Sequence, residues 1–151
     1  MMSPAGSEHG EIAAKLLVRI ANYVEQQRLG KTFAAETGFL IRQDPDTLLA
    51  PDVSFLSFDR LGGIGRYPGY LPLAPDLVAE VVSPNDRSSD VENKARMWLE
   101  AGVRIVLVVD PQSATIRDYR SADSIQVHSE GFVDLNDVLP GFQLEVAELF
   151  A

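Results

Sequence analysis

Cysteine is missing altogether from the 151 residues. Disulfide staples and thiolate metal centres are thereby excluded, and a cytoplasmic location is permitted and expected. Long apolar runs are missing too: none approaches the roughly 18–20 residues that span a bilayer. The first residues, Met1 to Ser7, lack the basic and apolar regions of a secretory signal and read as a loose tail. A surplus of positive charge is also lacking, because the formal net charge is -9. Broad, non-specific attraction to polyanions depends on such a surplus. The imbalance is local. Residues 121–151 carry six acids (Asp123, Glu130, Asp134, Asp137, Glu145, Glu148) and no Lys or Arg, which leaves -3 for all that precedes them. A basic groove in the front of the chain therefore remains open.

What is present suits one globular domain. The hydrophobic share of 46% is ordinary, and the length suffices for one core rather than two. We expect a tail over residues 1–8 and a single domain over residues 9–151. Ile12, Leu16, Ile20 and Val24 recur every four residues and predict an amphipathic helix over 9–28, capped by Ser7. Strands are expected over 31–41, 53–58, 77–82 and 103–109, with a closing hairpin over 115–120 and 125–128. Gly and Pro make 59–72 a loop. Between the third and fourth strands, Ser89 and Glu92 form a capping-box pattern, and a helix runs to Ala101 before Gly102. Its apolar face is Val91, Ala95, Trp98 and Leu99. Strand, helix and strand in that order imply a crossover between parallel strands, hence an α/β fold.

Three residues are out of character for a plain packing role. Glu80 lies inside the apolar run Leu77 to Val82, where a buried carboxylate is unfavourable without a cation or hydrogen bonds, unless it faces outward at an edge. Lys94 borders the buried stripe of the helix that follows. It suits simple snorkelling, yet that helix face also reaches the end of the Glu80 strand, where open α/β sheets place ligands. Asp52 enters a strand straight after Pro51 and reads equally as a turn residue. Together, two carboxylates and an ammonium have one evident use. The carboxylates hold a hard divalent cation, and the lysine orients water or neutralises a phosphate.

Rival sites are poorly served. His9 reads as a helix-start residue and His128 as an exposed strand residue, and they share no ligand spacing. Gly62-Gly63-Ile64-Gly65 lacks the Lys-Ser/Thr of a phosphate loop, and no Gly-x-Ser-x-Gly elbow occurs.

Pro51-Asp52-Val53-Ser54-Phe55 and Pro75-Asp76-Leu77-Val78-Ala79-Glu80-Val81-Val82-Ser83-Pro84 resemble segments of the Uma-two family of restriction endonucleases. So do Glu92-Asn93-Lys94, Ala101-Gly102-Val103, Val109-Asp110-Pro111 and Leu139-Pro140-Gly141-Phe142. The resemblance runs in order from His9 onward. It implies the PD-(D/E)XK nuclease-like fold, a central mixed sheet flanked by helices, with Mg²⁺ or Mn²⁺ at the site. By position, Asp52 is the first acidic ligand and Glu80 the second. The usual motif lysine falls at Val82, and the resemblance moves that role to Lys94 on the next helix. The family pattern carries a further Gly-Glu segment on a strand ahead of the helix at His9, and this chain as read begins after it. Glu36, expected on the strand before Asp52, is the remaining candidate acid for the metal.

The leading expectation is a metal-dependent endonuclease acting on nucleic acid, DNA first, as a symmetric homodimer. The alternative is a nuclease-fold binding or assembly module without turnover.

Overall fold

The computed structural model describes residues 4–151; residues 1–3 of the expected tail lie outside them. The fold is built on a six-stranded mixed sheet in the order β1-β4-β5-β6-β7-β8. Its strands are β1 (Gly30–Ala34), β4 (Val53–Ser57), β5 (Leu77–Val81), β6 (Ile105–Asp110), β7 (Thr115–Ser121) and β8 (Ser124–His128). All neighbours are antiparallel except β5 and β6, which run parallel around the intervening helix α3 (Ser88–Glu100). The crossover expected from the sequence is thus present. Two small antiparallel pairs flank the sheet: β2 (Phe39–Arg42) with β3 (Thr47–Leu49), and β9 (Phe132–Asp134) with β10 (Gln143–Glu145).

Alternation along the strands divides the core in two. Val53, Phe55, Leu77, Ala79, Val81, Ile105, Leu107 and Val109 pack under the helix α1 (Ser7–Gln27) and its stripe of Ile12, Leu16, Ile20 and Val24. The β9–β10 pair and the helix α4 (Val146–Phe150) close that side. The opposite residues, Leu56, Val78, Val106, Val108 and Tyr119, pack under Ala95 and Trp98 of α3. Burying both faces explains why β6 reads as an uninterrupted β-branched and aliphatic run. Gly30 opens β1 because nothing larger fits. A Cβ there would lie 2.0 Å from the Leu56 carbonyl oxygen.

Several local expectations needed correction. The helix begins at Ser7 with Gly6 as its cap residue, so Ser7 does not cap it. The stretch expected as one strand over 31–41 is two, β1 and β2, separated by a turn in which Thr37 Oγ1 donates to the Ala34 carbonyl at 2.7 Å. The stretch expected as loop over 59–72 is helical at its start: residues 59–61 belong to a short helix, α2 (Phe58–Leu61), capped by the Ser57 hydroxyl. The capping box at Ser89 and Glu92 does not form. Glu92 instead accepts the Tyr119 hydroxyl from β7, a partner distant in sequence and so invisible to a local pattern. His128 is not an exposed strand residue: its side chain is one-fifth accessible and lies 3.6 Å from the Asp118 carboxylate.

Candidate active site

The antiparallel register of β4 and β5 pairs Val53 with Ala79. Asp52 lies just before β4, so the same register carried one step further sets it opposite Glu80. The Glu80 side chain meets α3, whereas the Asp52 carboxylate sits at the strand end between the Val81 N–H and His9 of α1. Both line one cleft of about 1010 Å³ at the end of the sheet, together with His9, Glu36, Asp86 and Lys94.

Each carboxylate is anchored by one oxygen. Asp52 Oδ2 accepts the backbone N–H of Val81 at 2.7 Å, which ties the entry of β4 to the end of β5. Glu80 Oε2 accepts the indole N–H of Trp98 at 3.0 Å, and the Lys94 ammonium sits 3.4 Å from the same oxygen. Trp98, Lys94 and Val91 lie at helical spacings of three and four, so one stripe of α3 supplies both partners. Among the described residues no hydrogen bond occupies Asp52 Oδ1 or Glu80 Oε1. Two oxygens of a hard donor set therefore remain for a ligand.

Burial raises the Glu80 pKa above its ordinary value, and the nearby Asp52 charge adds to that. Lys94 and the Trp98 hydrogen bond act in the opposite direction without cancelling it. Glu80 is thus a carboxyl whose charge burial still disfavours despite Lys94, and which further positive charge would stabilise.

Of the residues singled out in the sequence, Asp52, Glu80 and Lys94 are brought together. Glu36 is not on a strand; it is exposed in the turn after β1, on the wall of the same cleft. Among the described residues no three His, Asp or Glu side chains are grouped so as to hold a metal ion. His9 and Asp86 line the cleft without having been singled out for it. His9 stands in the first turn of α1 with Nε2 3.3 Å from Asp52 Oδ2 and its side chain only 15% exposed. No sequence signal gave it away, because α1 and β4 meet only through the fold.

A family model described as "Uma2: Putative restriction endonuclease" matches residues 1–147. Among solved structures, the chain is similar to one described as a putative nuclease belonging to DUF820 from Anabaena variabilis. The likeness has a TM-score of 0.84 at 24% identity and covers 99% of this chain and 83% of that one. No curated protein matches.

Proposed function

Because the chain belongs to the Uma2 family of restriction-endonuclease-like proteins, we propose that it is a metal-dependent endonuclease hydrolysing nucleic-acid phosphodiester bonds, with Asp52, Glu80 and Lys94 as its catalytic residues. The observation that carries this reading is the Asp52–Glu80 juxtaposition with the Lys94 ammonium 3.4 Å from Glu80. Asp52 Oδ1 and Glu80 Oε1 are hard oxygen donors and fit Mg²⁺ or Mn²⁺, with Glu36 on the cleft wall as an additional acid. A divalent cation bound there would polarise the phosphodiester and lower the pKa of a water.

The chain's own groups do the rest. The Val81 N–H and the Trp98 N–H fix the two carboxylates, so their free oxygens need no reordering when a ligand arrives. Lys94 is 42% exposed and can turn from Glu80 toward a phosphate oxygen, where it neutralises the charge that builds in the transition state. The cleft of about 1010 Å³ is where the sugar-phosphate chain would lie.

The same reading includes a symmetric homodimer, since cutting both strands of a duplex calls for two sites. The edge strand β8 supports it by exposing Ile125 and Val127 at 44% and 63%. Light scattering at micromolar concentration would decide this, a monomer mass counting against it.

A second reading has its own support. Glu80 is already satisfied by Trp98 and Lys94, and no third acid joins the pair among the described residues. That suits a binding or assembly module that kept the fold without turnover. Incubating a panel of DNA substrates with Mg²⁺ or Mn²⁺ separates the two. Cleavage by the parent chain that is absent from Glu80→Ala supports the enzyme; no metal-dependent cleavage by the parent supports the module.

A further inference from the structure

A second concavity of about 530 Å³ lies beside the cleft. It is formed where β1 meets the glycine-rich loop after α2. The turn between β1 and β2 is a wall common to both: Ala34, Ala35 and Glu36 line the cleft, while Phe33, Thr37 and Gly38 line the second concavity. Lys31 also lines it and pairs in register with Leu56, four residues along β4 from Asp52. At ~3.4 Å per residue the offset from Asp52 along the strand direction is about 14 Å, a few nucleotides along a strand.

Its chemistry is that of a base-binding site rather than of unfilled core. Phe33 and Leu71 supply an apolar floor. Tyr67 lines it and remains 48% exposed, although a large aromatic side chain gains by burial. Lys31 and Arg66 lie on the rim of a chain whose net charge is -9. The Lys31 ammonium donates to the Gly65 carbonyl at 2.9 Å, which pins the loop to β1 and leaves two of its protons for another acceptor. Glu25 on the wall accepts hydrogen bonds and favours a base edge that donates them. Aromatic faces beside cations are what single-stranded nucleic acid binds, with bases stacking and phosphates paired.

We propose that this concavity binds an unstacked nucleobase of the strand entering the cleft, with Tyr67 stacking on the base and Lys31 and Arg66 meeting its phosphates. The ligand class rests on the nuclease reading. The site itself rests on the shared turn and on its own lining.

The test is fluorescence anisotropy with a short labelled oligothymidylate in EDTA, where metal-dependent cutting cannot occur. The parent chain should bind. Tyr67→Ala should weaken binding by about 5-fold or more, the scale of one lost stack, and Tyr67→Phe should retain it. Lys31→Met should weaken binding and flatten its salt dependence. A folded Tyr67→Ala chain that binds as tightly as the parent overturns the proposal, as does a parent that fails to bind. The two readings can fail separately. Metal-dependent cutting with binding indifferent to Tyr67 removes this site and keeps the nuclease. Tyr67-dependent binding without cutting in Mg²⁺ or Mn²⁺ does the reverse.

Discussion

Trp98 donates its indole N–H to Glu80 across 3.0 Å, from the last turn of α3 to the end of β5. Trp98 is fully buried, so one side chain both fills the core under α3 and aims a carboxylate into the cleft. Trp98→Phe keeps an aromatic ring but removes the donor. The variant should fold and lose about 1.5–3 kcal/mol, the scale of a hydrogen bond to a charged group plus some packing. Urea denaturation measures it. An unchanged midpoint would mean that the hydrogen bond to Glu80 adds nothing to stability.

Glu80 also makes stability depend on pH. Burial raises its pKa above the ordinary 4.5, so between that value and the raised one the folded chain binds more protons than the unfolded chain. Stability from this group is therefore fully present below about pH 4.5 and is lost as pH rises through the folded value. Glu80→Gln keeps the shape and removes the charge. In metal-free buffer it should be more stable than the parent near pH 8, with a smaller fall in stability across the acidic-to-neutral range. Thermal denaturation at several pH values reads both curves, and parallel curves would refute the assignment.

Arg120 joins the sheet to the C-terminal region. It donates to Asp118 at 2.7 and 3.0 Å, to Asp137 at 2.9 Å and to the Asp134 carbonyl at 2.6 Å. Asp118 is only 3% exposed, so Arg120→Ala leaves a buried carboxylate short of its main partner. The loss should approach about 3–5 kcal/mol, and a paired change of Asp118→Leu with Arg120→Met should restore much of it. A double-mutant cycle in denaturant gives the coupling; additive losses would argue against the network.

How much of this was legible can be traced residue by residue. The crossover around α3 could be read because its signals are local: an apolar run, a helical stripe and Gly102 at the end. Asp52 and Glu80 could be proposed as neighbours because polar residues inside or beside apolar runs stand out. Their approach follows from carrying the β4–β5 register one step past Val53 and Ala79, which no local pattern fixes. Glu92 misled for the same reason. Its spacing from Ser89 matches a cap, but the Tyr119 hydroxyl, 27 residues away, is its partner. His9 carried no signal, since its meeting with Asp52 spans α1 and β4.

The sharpest prediction concerns Lys94. Lys15 donates to the carbonyl of Ala151 and Lys31 to that of Gly65, so neither serves the cleft in this structure. Lys94 lines the cleft with its ammonium beside Glu80. If the reaction needs an ammonium near the scissile phosphate, Lys94 supplies it. Lys94→Met retains the packed stem and removes the charge. The variant should fold and still bind Mn²⁺ through Asp52 and Glu80 in calorimetry, though less favourable pairing at Glu80 will raise that carboxyl's pKa further. Cleavage should fall by about 100-fold or more, the scale of losing one donor to developing charge. Lys94→Arg should recover little, because the guanidinium is larger, planar and not readily deprotonated. Split outcomes are informative. Lost metal binding with lost cleavage would make Lys94 a positioning group for Glu80, whereas cleavage at the parent rate would make its amine a surface charge and remove it from the site.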